Sequence, residues 1–266
     1  MFRRFYGLRE KPFSKTPDPR FLYLSRGHRE ALARLQYAVE EREPALLTGE
    51  IGSGKTTISR ALMDSFGNEY RFCFIFNPVL TPFEFLRVVA RSLGIENPAC
   101  AKDDLLKQIT GELYRLHESG GCPVIVIDEA QLIPGQELFD EIRLLTNFQL
   151  DDRNLLGIII MGQPELRKRL AQPVFEPLRQ RVGIQYHLLP LDLEETMEYI
   201  DFRLQVAGGT PGLFSPEAIQ LMYELSGGVP RRINAVATNA LLVGYGRDAA
   251  WIGDTIIEEI KSELII

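Results

Sequence analysis

The sequence predicts an α/β fold in which helices flank a parallel sheet, followed by a small domain made of helices alone. Short apolar runs without alternation are typical of strands that are covered on both faces of a parallel sheet. In this chain of 266 residues such runs alternate with helical stretches as far as Pro190, and only helical patterns follow. Alternating strands and helices favour an open α/β sheet. We therefore expect a core domain over residues 1–190, with an N-terminal extended segment, and a helical domain over residues 191–266.

Four apolar runs and one weaker candidate are the predicted strands. In chain order they cover residues 45–48, 71–76, 124–127, 155–161 and 184–188. The last of these, residues 184–188, is the weaker candidate. Helices are predicted over residues 57–66, 82–93, 103–119 and 136–146.

Start signals mark the helices of the C-terminal domain. Asp192, with a glutamate three residues later, has the pattern of a capping box and predicts a helix that runs to residue 206. Ser215 followed by proline is a second start signal. Two more helices are expected over residues 234–245 and 254–263.

Composition and charge exclude several classes of protein. Hydrophobic residues make up 45% and charged residues 25% of the chain, as in an ordinary globular protein and unlike a disordered one. The net charge of −6 and the pI near 5.3 argue against a basic nucleic-acid binder. Charge is uneven, with a net of +6 over residues 1–34 and −7 from residue 191 onward. Two interpretations fit this distribution: two solvated faces, or a basic segment that meets phosphate, an acidic partner or a membrane surface.

The cysteines and the N-terminus indicate a compartment. Cys73, Cys100 and Cys122 are widely spaced and form no CxxC pair, so neither a zinc site nor a disulfide framework is supported. The N-terminus has no apolar signal-peptide region, and no apolar run approaches the ~18–20 residues that span a bilayer. We expect a reduced, cytoplasmic protein without a membrane span. The proline-rich segment 11–20 is expected to be extended, because proline disfavours helix at itself and at the preceding residue.

The strongest functional signal is a glycine-rich phosphate-binding loop between a predicted strand and a predicted helix. Its residues are Gly49, Glu50, Ile51, Gly52, Ser53, Gly54, Lys55 and Thr56, which fit the pattern G-x-x-x-x-G-K-[ST]. Backbone N–H groups of such a loop surround phosphate oxygens, and the following helix N-terminus adds a favourable dipole. We expect Lys55 to reach the β- and γ-phosphates of ATP and Thr56 to ligate Mg²⁺. Thr57, the next residue, is included in the nucleotide site.

Two acidic residues follow the predicted strand 124–127. Asp128 is expected to hold the Mg²⁺ shell, and Glu129 to polarise the attacking water as general base. Alone, such a pair would more simply cap a helix or lie in a solvated turn. Together with the phosphate loop, it predicts hydrolysis of ATP in addition to binding.

Three further signals are weaker. Gln163 follows the predicted strand 155–161, where it would either sense the γ-phosphate or be a polar turn residue. Arg179 and Arg181 precede the fifth strand, while Arg231, with Arg232 beside it, follows a glycine pair in the helical domain. An arginine in the site stabilises charge on the transferring phosphoryl group. The alternative is ordinary surface arginine.

These motifs together resemble those of the AAA+ ATPases, P-loop NTPases that carry phosphate loop, acidic strand, sensor strand, arginine finger and helical lid in this order. Seven further runs make the resemblance specific to one group within this family. They are FYGLREKPF, TPDPRFLYLS, HREAL, VIDEAQ, EIRLLTNFQ, IIIMGQPEL and GGVPRRINA. They are similar to the ExeA/GspA-type secretion ATPases, and equally to stand-alone ATPases found with exosortase and exopolysaccharide export systems. The resemblance covers nearly the whole chain.

The resemblance implies a five-stranded parallel sheet and a C-terminal helical lid. It implies that Arg179 or Arg181 acts on the nucleotide of a neighbouring subunit in a ring or filament. Arg231 would be the lid sensor for its own subunit's nucleotide, and the segment from Tyr23 to His28 would pack near the adenine. ExeA-like proteins continue into a membrane span and a periplasmic part. This chain stops at Ile266, so it is either the stand-alone type or a fragment of a longer, membrane-anchored protein.

Three functions are consistent with these residues. The leading one is an oligomeric ATPase motor or switch in a cell-envelope secretion or exopolysaccharide export system, with an inner-membrane partner and a position that is cytoplasmic or peripheral at that membrane. The second is a DNA-associated ATPase of the transposition type, which the acidic balance disfavours. The third is a slow nucleotide-dependent interaction switch.

Overall fold

The computed structural model describes residues 1–14, 18–150 and 153–262. The chain divides into two compact units. The sheet unit comprises Glu30–Gly49 and Ile58–Leu188, and the helical unit comprises Met1–Arg29, Glu50–Thr57 and Leu189–Ile266. The helical unit thus includes most of the phosphate-loop sequence. The split at residue 190 into two domains stays a prediction.

Strands and helices alternate along the chain. The strands are β1 (Ala45–Gly49), β2 (Tyr70–Ile75), β3 (Cys122–Ile127), β4 (Gly157–Gly162) and β5 (Ile184–Leu188). The helices are α1 (Phe2–Phe5), α2 (Arg26–Glu40), α3 (Lys55–Asp64), α4 (Pro82–Leu93), α5 (Lys102–Glu118), α6 (Gln136–Leu145), α7 (Pro164–Leu170), α8 (Glu176–Arg179), α9 (Leu193–Val206), α10 (Pro216–Ser226), α11 (Pro230–Gly246) and α12 (Asp254–Lys261). Three 3₁₀ turns lie at Pro19–Phe21, Ala130–Leu132 and Pro173–Phe175.

The sheet unit confirms the predicted fold class. Its five strands are all parallel and lie in the order β2-β3-β4-β1-β5. Both faces of the sheet are covered, as the unbroken apolar runs predict. In β3, Val124 and Val126 join the cluster that contains residues of α2 and α3, while Ile125 and Ile127 join the cluster that contains residues of α4, α5 and α6. Because the strands are parallel, their carboxyl ends lie at the same end of the sheet, and the strand order makes those of β3, β4 and β1 neighbours.

Helix α2 is absent from the sequence prediction. A usable signal was present, because Ala31, Leu35, Ala38 and Val39 recur at the spacing of one helical face. All four are buried in the sheet unit. The arginines and glutamates that surround these four residues make the apolar stripe difficult to recognise in the sequence.

The N-terminal segment differs from the extended chain that the prolines predict. A turn occupies Pro12 and Phe13, and Pro19–Phe21 is a 3₁₀ turn. Proline fixes φ near −65°, which suits a turn as well as an extended strand. Residues 15–17 of this segment lie outside the described residues.

Helices α9 to α12 and the N-terminal residues share the core of the helical unit. Both predicted caps are present: Asp192 accepts from the Glu195 backbone N–H at 2.8 Å, and Ser215 accepts from that of Ala218 at 3.1 Å. Arg26 forms ion pairs with Asp192 and Glu195. Part of the basic N-terminal charge is therefore matched by acidic residues of the same unit. Within the described part of the chain, no helix combines the length and the apolar character needed to cross a bilayer.

Candidate functional site

The phosphate loop follows β1 and leads into α3. Gly52 and Gly54 have φ values of +82° and +105°, a backbone region that glycine adopts without strain. The Ser53 backbone N–H donates to the Glu50 carbonyl at 3.1 Å and closes the turn. The Ser53 side chain is buried, and its hydroxyl has no hydrogen-bond partner within the structure. The loop is thus a compact turn whose shape depends on two glycines.

Lys55, Thr56 and Thr57 form the first turn of α3. The Lys55 side chain is only 6% exposed, although lysine is rarely buried. Its ammonium group donates to the Glu50 carbonyl at 2.9 Å, so it lies over the loop. The side chains of Glu50 and Ile51 are exposed, and these two residues contribute to the loop through their backbone.

Two predicted residues contact this loop within the helical unit. The Arg231 backbone N–H donates to the Gly52 carbonyl at 3.3 Å, and a Cβ atom on Gly52 would overlap the Arg231 side chain. The His28 ring lies 2.9 Å, through Nε2, from the Ser53 carbonyl. The lid-sensor candidate and the α2 histidine are thus both brought to the phosphate loop.

Tyr23 has a different set of contacts. Its hydroxyl donates to Glu198 of α9, and its ring packs against Tyr199 and Phe202. Burial, reinforced by the Glu198 carboxylate, raises the pKa of this phenol, so it stays protonated. The structure ties Tyr23 to α9; its expected role near the adenine stays a prediction. Arg232, beside Arg231, is exposed.

The loop residues fit a nucleotide with its magnesium ion. The first turn of a ten-residue helix presents backbone N–H groups at its start, which favour phosphate. The buried, unpartnered Ser53 hydroxyl and the buried Lys55 ammonium add donors of the kind that phosphate oxygens accept. Thr56, which follows Lys55, would supply the hydroxyl that such sites use for Mg²⁺.

The acidic pair lies in the sheet unit, directly after β3. Asp128 is 4% exposed, and its Oδ1 accepts from the Glu129 backbone N–H at 2.8 Å. Glu129 adopts the left-handed conformation with φ of 52°, which is uncommon for a residue other than glycine. Such strain is concentrated at functional sites. The backbone therefore turns sharply at the residue predicted to be the base.

Two side-chain amides hold the Glu129 carboxylate. Gln163, at the end of β4, donates from Nε2 to Oε2 of Glu129 at 2.9 Å, and Gln131 donates to the same oxygen. Oε1 of Gln131 also accepts from the Gln163 backbone N–H at 3.0 Å. Sequence reasoning missed Gln131; its position two residues after an acidic pair at a strand end was the available signal. The neighbouring ends of β3 and β4 bring Gln163 and Glu129 together.

The two finger candidates differ in their contacts. The Arg179 guanidinium donates to the carbonyls of Leu170 at 2.8 Å and Gln172 at 3.2 Å. Arg181 is exposed. Arg179 is thus engaged by its own chain, while Arg181 extends into solvent. Which of them serves as a finger stays a prediction.

The fold and the loop define a P-loop nucleotide-binding protein. Residues 39–170 match the model of the AAA domain. The chain is 41% identical over 254 residues to general secretion pathway protein A of Aeromonas hydrophila, an alignment that covers 93% of this chain. The chain belongs to the AAA+ family, as its motifs predict, and it spans 45% of the length of that relative.

Solved structures share the fold at low sequence identity. The ORC2 protein of Aeropyrum pernix, in ADPNP and ADP complexes, is 16% identical, with a TM-score of 0.68 over 96% of this chain and 71% of that one. Drosophila ORC bound to DNA is 15% identical, with a TM-score of 0.71 over 97% of this chain and 65% of that one. At these identities the likeness shows the fold alone.

Proposed function

We propose that this protein binds ATP with Mg²⁺ and hydrolyses it to ADP and phosphate. The observation that carries the proposal is the phosphate loop, where Lys55 is buried over a turn built on two left-handed glycines. The fold-related ORC2 protein was solved with ADPNP and ADP, which supports an adenine nucleotide as the ligand.

Each residue has a role that its position supports. Lys55 and the loop N–H groups bind the phosphates, and Ser53 adds a hydroxyl donor. Thr56 and Asp128 would hold Mg²⁺, which neutralises charge on the phosphoryl oxygens when it is bound. Glu129 takes the proton of the attacking water.

Gln163 and Gln131 orient the base. A carboxylate oxygen that accepts two amide hydrogen bonds has a defined direction, and a positioned general base contributes ~10²–10⁴-fold to rate. In this proposal the amide of Gln163 also senses the γ-phosphate. Removal of either amide should therefore lower turnover more than binding.

Arginine from a second copy completes the site in this proposal. An arginine supplied in trans is worth ~10³–10⁵ in kcat in related phosphoryl-transfer sites. Arg181 is the better placed of the two candidates, because the guanidinium of Arg179 already donates to two carbonyls of its own chain. Activity would then require a ring or filament of copies.

The likeness to general secretion pathway protein A supports a role in transport across the cell envelope. We place the ATPase where ATP is available, on the cytoplasmic side of the inner membrane, in a secretion or exopolysaccharide export system. It would attach there through a protein partner in the inner membrane. Hydrolysis would drive a motion or a switch in that partner.

The test uses two variants that separate binding from turnover. Lys55→Ala should abolish binding of ATP, measured by titration calorimetry. Glu129→Gln should keep affinity within about threefold and lose at least about a hundredfold in phosphate release, because it removes only the base. Retained affinity in the first or retained turnover in the second would contradict the assignment.

Two control variants match these changes in type. Lys107→Ala removes an exposed lysine of α5 whose partners are surface carboxylates. Glu165→Gln neutralises an exposed acid at the start of α7. Both should leave binding and turnover unchanged.

A further inference from the structure

His28 lies at the junction between the start of α2 and the phosphate loop. Ser25 caps α2, since its Oγ accepts from the His28 backbone N–H at 3.3 Å. The His28 ring is 4% exposed. Its Nδ1 lies 2.8 Å from Ser25 Oγ, and its Nε2 lies 2.9 Å from the Ser53 carbonyl oxygen. Both ring nitrogens are therefore engaged inside the helical unit.

The partners define which nitrogen carries the proton. A carbonyl oxygen only accepts, so Nε2 of His28 is the protonated nitrogen and donates to Ser53. Nδ1 then accepts from the Ser25 hydroxyl, which has one proton to give and lone pairs left for the backbone N–H of His28. Burial lowers the pKa of His28, in agreement with a neutral ring.

This single hydrogen bond fixes an entire peptide unit of the loop. The Ser53–Gly54 peptide is planar and trans, so its carbonyl and its N–H point in opposite directions. With the Ser53 carbonyl held toward His28, the Gly54 N–H is directed away from the ring. Loop N–H groups of this kind are the donors that phosphate accepts.

The absence of a side chain at Gly54 allows this approach. A Cβ atom at Gly54 would lie 2.7 Å from Nε2 of His28, closer than a carbon and a nitrogen can pack. Gly54 also has a φ of +105°, which L-residues with a side chain rarely adopt. Ring and loop are thus matched in shape as well as in hydrogen bonding.

Helix α9 secures the start of α2. Arg26, two residues before His28, donates its backbone N–H at 3.0 Å and its Nε at 3.3 Å to Oε1 of Glu195. The beginning of α2 is therefore attached to α9. These hydrogen bonds fix the position of the helix start from which the His28 side chain extends.

We propose that His28 is a positioning residue of the phosphate loop, which acts by holding the Ser53–Gly54 peptide ready for phosphate. It acts on the phosphate end of the ligand, and so differs from the adenine contact that the resemblance implies for this segment. The proposal rests on the proposed function, because the phosphates it serves are those of ATP.

The experiment compares two substitutions of His28 with two ligands. His28→Met keeps a side chain of similar length without a donor, while His28→Gln keeps a terminal N–H donor. Dissociation constants are measured for ATP and for inorganic tripolyphosphate, which has no base or sugar. We expect His28→Met to lower the affinity for both ligands by the same factor, about tenfold. The affinities of His28→Gln should stay within about threefold of those of the wild type.

Three outcomes of these titrations would contradict the role. If His28→Met lowers the affinity for ATP but not the affinity for tripolyphosphate, the ring contacts the adenine or the ribose and not the phosphates. If His28→Gln is as impaired as His28→Met, the N–H donor is not what matters. Ser25→Ala, which removes only the partner of Nδ1, is the milder second variant, with an expected loss of about threefold for both ligands. An unchanged affinity for both ligands in it would also count against the proposal.

A measurement without ligand separates this proposal from the proposed function. Failure of the wild type to bind either ligand would refute the proposed function alone. Amide hydrogen exchange over residues 50–57 then tests His28 in the nucleotide-free protein. His28→Met should speed this exchange and His28→Gln should not, whereas equal exchange in wild type and His28→Met would refute the positioning role.

Discussion

Arg203 of α9 anchors the N-terminal residues to the helical unit. Its guanidinium is buried and donates to the Pro12 carbonyl at 2.6 Å and the Ser14 carbonyl at 3.3 Å. Its Cζ also lies 4.7 Å from the centroid of the Phe21 ring. Burial lowers the pKa of Arg203, but arginine keeps its charge in proteins. Arg203→Met would keep the aliphatic length and remove every donor.

The magnitude follows from the acceptors that lose their donor. A buried polar group without a partner costs about 1–3 kcal/mol. The bonds from Arg203 to the Pro12 and Ser14 carbonyls are lost here, together with those to the Phe21 carbonyl and the Tyr199 hydroxyl. The variant no longer has to bury a charged guanidinium, and the desolvation cost saved in this way offsets part of the loss. We expect a net loss of about 3 kcal/mol, which corresponds to roughly a hundredfold faster opening of the N-terminal residues.

Amide hydrogen exchange over residues 1–14 measures this local opening directly. Arg247→Met is the control, because Arg247 is half-exposed and pairs with Glu259 at the surface of the same unit. A surface pair contributes about 0–1 kcal/mol. If the two variants opened residues 1–14 equally, Arg203 would not be the anchor.

Three further changes address the site. Gly52→Ala should weaken ATP at least about tenfold, because a Cβ would overlap Arg231 and L-residues at positive φ are strained by ~1–2 kcal/mol; titration calorimetry measures the affinity. Gln163→Leu should lower phosphate release about tenfold or more with affinity nearly unchanged, because Glu129 loses one of its amide donors. Arg181→Ala should be nearly inactive alone but regain turnover when mixed with Glu129→Gln, since a mixed pair holds one site with an intact base and an intact arginine, as phosphate release would show.

A control variant, or a contradicting outcome, tests the physical reason given for each change. Gly94→Ala places a side chain at φ of +103° with open space around it, so affinity for ATP should not change. Gln180→Leu removes an amide that bonds Glu176 at the surface and should leave turnover intact. A mixture that stays as inactive as Arg181→Ala alone would argue against an arginine acting between copies.

The strands were predictable because their signal is local. A strand buried on both faces needs an unbroken apolar run, and each such run lies within two residues of an observed strand boundary. The strand order β2-β3-β4-β1-β5 could not be read in the same way, because it depends on which distant runs pair. Helix α2 was missed since its buried stripe of four small and aliphatic residues is surrounded by charge.

The phosphate loop was predictable because its chemistry requires fixed residue types at fixed spacing. The contacts that shape the loop were not, because they come from distant positions: the Arg231 backbone bonds the Gly52 carbonyl, and the His28 ring bonds that of Ser53. Gln131 belongs to the same group. Its amide meets both Glu129 and Gln163, a relation that only the folded strand ends create.

Phosphate release from ATP and Mg²⁺, measured across a wide range of protein concentration, tests the central claim most directly. The account predicts turnover whose specific rate rises with concentration, because an arginine from a second copy completes each site. It also predicts that Glu129→Gln is at least about a hundredfold slower at every concentration. Turnover that persists in Glu129→Gln would contradict the assigned base. Absence of turnover in the wild type at every concentration would contradict hydrolysis by this chain alone.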